Sequence, residues 1–444
     1  MPVWTTEQVV ALAPDEASVK AARGLTHPGK WATLGQNDRA CWGECRGSGS
    51  QPYQVGVEAS EPAFKCTCPS RKFPCKHALG LLLLVAAQPV AVPAGEPPAW
   101  LGEWLAKREQ TALRKASRTV DTELDPEQQA KRAATRDKRS AERQRKVEAG
   151  LEELERWLRD LARQGLAHAQ KQPTRYWDAM VARLVDAQAP GLARWLREMA
   201  GIPASGEGWS ERLLARLGLL QLLLEGYRRL DSLPEPLQAD IRSAIGWTWQ
   251  ETDLPADAWV RDRWLLLGQR TYEEDRLRVR RSWLWGRDSG RWALVLDFAY
   301  QNQPLPVIGA PGTWLEAELG FFPSQYPQRA LLRDAVVITD SGIPPAHADS
   351  IALLRAYAEV LAQQPWLELW PATLAEVVPA RGEETEIWFV RDTSTNRLPC
   401  HPGFADPWRL LALSGGLPLT IFGEWNGQQF WPLSAWRGER FTAF

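Results

Sequence analysis

The residues with the most definite chemistry are Cys66, Cys68, Cys75 and His77. Three thiols and an imidazole fall within twelve residues, as Cys-x-Cys, six residues, then Cys-x-His. Thiolates and imidazole are the donors zinc prefers, and Cys₃His is one of its standard tetrahedral structural sets. Residues two apart in a strand face the same side, so Cys66 and Cys68 can point to one ion. Pro69 and Pro74 restrict the intervening loop and bring the second pair back. Four ligands close the shell and leave no position for a reactive water, so the expected cofactor is one structural Zn²⁺. The competing reading is a set of buried thiols with a satisfied histidine, and four donors this close argue against it. A disulfide fits less well, because the chain has no secretory feature.

A strand and a helix must position these donors. Cys75 and His77 lie where the loop enters a helix whose buried body is Ala78 to Leu84. Upstream, Ala40–Cys45 and Tyr53–Glu58 read as two strands turning through Gly47-Ser48-Gly49-Ser50. A capped helix is expected from Trp4 to Ala22. Cys41 and Cys45, four apart, read as core thiols, with extra ligation or a redox pair as the alternatives.

At these residues the chain resembles the SWIM zinc finger, and its surroundings are similar to the bacterial SWIM zinc finger family proteins. The likeness reaches upstream to Cys41-Trp42-Gly43-Glu44-Cys45-Arg46-Gly47-Ser48-Gly49 and Pro52-Tyr53, and downstream to the run from Arg183 to Ala193. It covers the first half of the chain and is looser beyond. The resemblance implies that Cys66, Cys68, Cys75 and His77 are the zinc ligands, and that the finger meets nucleic acid or protein partners. It also implies partnership with a MoxR-type AAA+ ATPase and a von Willebrand A domain protein.

Composition narrows the rest. Lys plus Arg number 53 against 54 Asp plus Glu, so any nucleic-acid binding must come from a local patch. Within the finger, Lys65, Arg71, Lys72 and Lys76 form such a patch, with no acid from Phe64 to Leu84. Phosphate contact and a merely solvated loop are both open readings for them. Phe73 is expected to pack under the loop, with base stacking as the alternative. The 24 tryptophans are read mostly as core, with the remainder as docking surface. The N-terminus lacks the marks of a signal peptide, and the longest apolar run, Ala78 to Ala87, is too short to span a membrane. With three of the six cysteines assigned to zinc and no secretory feature, a cytoplasmic protein is expected.

The fold class expected is α+β multidomain, with three parts. Residues 1–97 form a small zinc-bound αβ SWIM module, with the finger at about 64–87, closed by a Pro-rich linker from Gln88 to Pro98. Residues 98–269 form an α-helical domain, on stripes such as Leu151, Leu154, Leu158 and Leu161. Its segment 131–146 carries eight basic and two acidic residues, read as a solvated helix supported by Glu142 and Lys146, or else as a phosphate contact. Residues 270–444 form a Trp-rich, β-rich domain. Its strand candidates are Leu277–Trp285, Trp292–Phe298, Thr313–Leu319, Ala335–Ile338, Trp366–Trp370, Glu386–Val390, Leu417–Glu424 and Gln428–Pro432, with an inserted helix at Ile351–Ala362.

No phosphate-binding Gly-rich loop, His-Glu-x-x-His helix or nucleophile elbow is present. His27, His168, His347 and His401 stand alone in sequence. The function expected is a non-catalytic, zinc-binding adaptor that binds protein partners, with nucleic-acid contact by the finger. The alternative is a DNA- or RNA-binding protein that uses the finger and the 131–146 stretch as its main surface. An enzyme with an unrecognised carboxylate site is the third.

Overall fold

The computed structural model describes residues 6–47, 51–58, 63–70, 72–120, 126–274, 277–300, 303, 305–382 and 387–444, with side chains described outside 7–8, 11 and 111–137. The described residues form an α+β mixture with three β-sheets.

The N-terminal module opens with two helices, α1 (Thr6–Ala11) and α2 (Glu16–Arg23). The apolar stripe suggested one helix from Trp4. Pro14 interrupts it, and Asp15 caps the second piece by accepting from the Ser18 N–H at 2.7 Å. Four antiparallel strands follow in simple order: β1 (Trp31–Gln36), β2 (Ala40–Cys45), β3 (Tyr53–Glu58) and β4 (Ala63–Cys66). Helix α3 (Lys76–Ala87) then buries every residue from His77 to Leu84 against this sheet and the first helices. An apolar helix without a polar face is stable only when it is surrounded in this way.

The Pro-rich segment after α3 is not a free tether. Gln36 Nε2 donates to the Val92 carbonyl at 2.7 Å, and Ala94 bridges to Gln36 in β1. The next helix, α4 (Ala99–Val120), packs its first turns on the N-terminal sheet, with Leu101 and Leu105 against Ala40 and Trp42. Glu58 takes Arg39 and Arg108 at 2.9 and 2.8 Å across the same contact. The packing therefore continues past the 97/98 boundary that the prolines suggest.

The helical domain comprises α5 (Pro126–Gln164), α6 (Leu166–Lys171), α7 (Thr174–Asp186), α8 (Pro190–Met199), α9 (Trp209–Arg228) and α10 (Glu235–Ile245). Val147, Leu151, Leu154, Leu158 and Leu161 of α5 enter one core with Trp177, Leu184, Trp195, Leu196, Leu220 and Ile241. The Arg183–Ala193 string forms the α7–α8 turn. A Cβ on Gly150 of α5 would lie 2.4 Å from the Ala187 Cβ, and one on Gly191 would lie 2.1 Å from the Ala244 carbonyl. Small residues are required there because backbones touch. The polar members Arg183, Asp186 and Gln188 are exposed, so they form no internal network.

The first strand of the C-terminal third starts earlier than the change of period near Arg270 suggests. β5 (Trp259–Glu274) begins well upstream of that limit because buried Trp264, Leu265, Leu266 and Leu267 form a continuous apolar run without alternation. It closes a barrel with β6 (Leu277–Gly286), β7 (Trp292–Tyr300), β8 (Trp314–Phe321) and β9 (Arg329–Ile338), in the order β5-β6-β7-β9-β8. At the β6–β7 turn the buried carboxylate of Asp262 accepts from the backbone N–H groups of Arg263, Asp288 and Ser289 and from the Ser289 hydroxyl. Helix α11 (Ser350–Gln363) precedes the last sheet, made of β10 (Trp370–Arg381), β11 (Trp388–Arg391) and β12 (Arg397–Pro399), then, after α12 (Pro407–Ser414), β13 (Leu419–Trp425), β14 (Phe430–Arg437) and β15 (Arg440–Ala443). Its order is β12-β11-β10-β13-β14-β15.

One expectation fails in this sheet. Of the strand placed at Trp366–Trp370, only Trp370 is in a strand, as the first residue of β10; Trp366 instead turns into the helical core and donates its indole N–H to the Leu219 carbonyl at 3.1 Å. The strand that does form, β10, is central in spite of Pro371 and Pro379, residues that normally argue against an inner strand.

The helical domain is fastened to the C-terminal third by a buried acid. Asp240 of α10 is 4% exposed and accepts from the Gln325 N–H at 2.9 Å and from Gln364 Nε2 at 3.2 Å. Burial raises its pKa from 3.8 to about 6. A raised folded-state pKa means that the protonated form is stabilised by folding. This contribution is complete below pH 3.8 and is lost as pH rises through about 6. Asp240→Asn removes the titration. Its stability relative to the parent should rise by about 3 kcal/mol from about pH 4 to about pH 7, measured by denaturant unfolding. A pH-independent difference would show that Asp240 titrates as if in water.

Candidate metal centre

Each donor of the cluster arrives on a defined element. Cys66 is the last residue of β4, opposite Val55 of β3, and Cys68 stands two residues beyond it. Cys75 is the residue just before α3, and His77 stands in the first turn of that helix. Their four ligand atoms lie within 4.8 Å of one another, and Cys66 Sγ is 3.8 Å from His77 Nδ1. A tetrahedral zinc with Zn–S bonds of about 2.3 Å separates its donors by about 3.8 Å, so the cluster matches the ion's size.

The electrostatics agree. Cys75 has its pKa lowered to about 4, first by the hydrogen bond from Cys66 and then by those from His77 and the Ala78 N–H at the start of α3. Cys66, sharing that proton and partly buried, is pushed up. Sulfurs this crowded cannot all ionise without a cation among them, and a divalent metal supplies it. Cys66, Cys68, Cys75 and His77 are thus positioned to hold one zinc ion. The Tyr53 ring lies 4.8 Å from the His77 ring and covers the site from β3.

Cys41 and Cys45 are fully buried in the adjoining sheet, and burial raises both thiols, Cys41 to about 12. Both are core residues. Cys45 lies within electrostatic reach of Cys68 and Cys75 but outside the four-donor set. The remaining histidines have local roles. His27 Nδ1 accepts from the Gly29 N–H and His401 Nδ1 from the Gly403 N–H, His168 contacts Gln172, and His347 packs on Trp370.

The candidate phosphate contacts separate. Lys65 donates to the Trp100 carbonyl at 2.8 Å and lies over that indole, which ties β4 to α4. Lys72 pairs with Asp15 at 2.7 Å, fastening the zinc loop to the α2 cap. Lys76 is exposed on the first turn of α3. Arg71 lies outside the described residues. Phe73 meets Phe64 edge-on at 5.6 Å and remains 42% exposed.

In the basic stretch, the expected Glu142–Lys146 pair forms at 3.1 Å. Arg143 stacks on Trp247 at 4.8 Å and donates to the Gly246 carbonyl. The side chains of 131–137 lie outside the described residues. No sequence signal marked the partners of Lys65, Lys72 and Arg143, since each is remote in the chain or set by a loop.

Two family models match the chain. The SWIM zinc finger matches residues 54–86, and the SWIM-associated four-helix bundle domain matches residues 142–245. The chain therefore carries a SWIM zinc finger followed by the helical domain that accompanies it. No curated protein and no solved structure matches significantly.

Cys66→Ser or Cys75→Ser should reduce bound zinc from one per chain to none, read by elemental analysis. Each should also melt the finger locally, because structural zinc sites carry roughly 10–16 kcal/mol of apparent binding energy. Cys45→Ala should keep the metal. Full zinc content in either serine variant would overturn the ligand assignment.

Proposed function

We propose that this protein is a non-catalytic, cytoplasmic adaptor. In this reading its zinc finger is a structural anchor and its helical domain docks protein partners. The observation that carries the reading is the internal engagement of Lys65 and Lys72. A surface that neutralises phosphates needs free cations, and the finger has committed these two to its own fold.

A groove of about 540 Å³ on the helical domain supports protein docking. Leu151, Leu224, Tyr227 and Leu230 line it with Glu148, Glu152, Glu155, Asp231 and Arg228. A groove with four apolar and four acidic side chains in its lining suits a basic amphipathic segment and repels nucleic acid. Docking through tryptophans is less well supported than the composition suggests. Twelve of them are buried, and among the described residues only Trp408 is largely exposed. The family resemblance makes a MoxR-type AAA+ ATPase and a von Willebrand A domain protein the first partners to test. The cytoplasmic assignment rests on six free thiols, and no described helix is long and apolar enough to cross a membrane.

The test pairs two titrations of the zinc-loaded protein. With single- and double-stranded DNA and RNA, no binding that weakens steeply with salt is expected. With the two candidate partners, sedimentation should show a complex, weakened at least about tenfold by Glu148→Lys with Glu152→Lys. Steeply salt-dependent nucleic-acid binding, lost in Arg71→Glu with Lys76→Glu, would overturn the adaptor reading in favour of the finger as a phosphate contact.

A further inference from the structure

Helix α5 carries its charge in two blocks. Residues 138–146 hold five basic residues and one acidic, and residues 148–155 hold four acidic residues and no basic one. The helix runs unbroken over 39 residues, so the two blocks are held apart and cannot meet within one chain. Some of these charges are matched locally. Lys146 pairs with Glu142, Arg143 stacks on Trp247, and Glu155 takes Arg159 and Arg228. Lys138, Arg145 and Glu152 are exposed and have no ion pair among the described residues.

These unmatched charges are regularly placed. Lys138, Arg145 and Glu152 are seven apart, so they fall on one stripe of α5. Gln144, Glu148, Leu151 and Glu155, spaced four, three and four, form the adjacent stripe, which with Glu152 is the α5 side of the 540 Å³ groove. Leu224, Tyr227, Leu230 and Asp231 complete the groove from the end of α9 and the turn after it. The basic block therefore leads along the same side of the helix into the acidic groove.

An occupant of this groove must supply cations at helical spacing. The chain has such a segment in α5 itself, and only a second copy can present it. The charges also set the orientation. Parallel copies of α5 in register would put Arg145 beside Arg145 and Glu152 beside Glu152, and like charges repel. Antiparallel copies, with a two-fold axis midway between these positions, put Arg145 of each copy beside Glu152 of the other, so the same contact is made twice. The segment 138–155 is about 27 Å long at 1.5 Å per residue. A single helix pair of that length is small beside the roughly 800 Å² per partner of a stable interface, so the association is weak and reversible.

We propose that two copies of this chain pair through antiparallel α5 helices, the 138–146 segment of each covering the acidic groove of the other. This rests on the reading of the groove as a protein-docking surface and names its occupant. Both grooves are covered in the pair, so a basic partner must displace the second copy.

The test is sedimentation of the full zinc-loaded chain alone, from about 1 to about 200 µM, at about 50 and about 500 mM salt. A monomer–dimer equilibrium is expected, at least about tenfold weaker at the higher salt. Lys138→Glu with Arg145→Glu, and separately Glu148→Lys with Glu152→Lys, should each leave the chain monomeric with an unchanged Tm, because all four side chains are exposed. An equimolar mixture of the two variants should form a dimer, since each then supplies the charge that the other requires. A chain that stays monomeric at the highest concentration in low salt, a dimer that either variant leaves intact, or a mixture that stays monomeric would each overturn the pairing. Lys138→Glu with Arg145→Glu spares the groove, so this variant should bind a basic partner at least as tightly as the parent. A monomeric chain whose partner complex still weakens in Glu148→Lys with Glu152→Lys would sink the pairing alone. A dimer of the expected kind with no partner complex would support the pairing and sink the adaptor reading.

Discussion

The N-terminal part of the molecule depends on four soft donors being held within 4.8 Å of one another at the junction of a strand end and a helix start. Neither element could close this junction alone. β4 is four residues long, and α3 is apolar on all sides, so each needs the other before it can exclude water. The donors are the fixed point that joins them. The Ala78 N–H adds the field of a helix start to the Cys75 sulfur. The basic residues of the zinc loop then act as fasteners, Lys65 toward α4 and Lys72 toward the cap of α2.

This use of charge as internal fastening recurs along the chain. Glu58 gathers Arg39 and Arg108 between the first sheet and α4. Arg143 closes on Trp247 between α5 and the end of α10. Glu368 joins Arg194 and the Trp195 indole across the helical domain and the loop before the last sheet. In each case an acid meets its cation, or a cation meets a carbonyl and a ring. Glu424 likewise gathers Arg270, Arg281 and the Trp283 indole where the barrel meets the last sheet.

The two family matches fall on the parts whose geometry is most constrained. In the finger the constraint is the ligand tetrahedron. In the helical domain it is close backbone approach at Gly150 and Gly191, which the Arg183–Ala193 string accommodates with small residues. The barrel and last sheet lie outside both matches. They hold most of the fully buried aromatics, with Trp264 inside the barrel and Trp283 and Phe422 between barrel and sheet.

The zinc ligands were legible from the chain alone, because Cys66, Cys68, Cys75 and His77 are local in sequence and the ion's preferences admit few other readings. Most hairpins and the α5 stripe were legible for the same reason, since period and turn chemistry act over a few residues. What the chain alone left undecided was every contact between distant segments. Lys65 looked free until Trp100 met it, and Trp366 looked like a strand residue until the helical core took it in. β10 was hidden by two prolines that its neighbours tolerate. Arg270, Arg281 and Glu424 are three scattered residues with no motif among them. Only the closing of the barrel and its packing on the last sheet set them side by side, because the force that gathers them is the burial of the apolar surfaces around them.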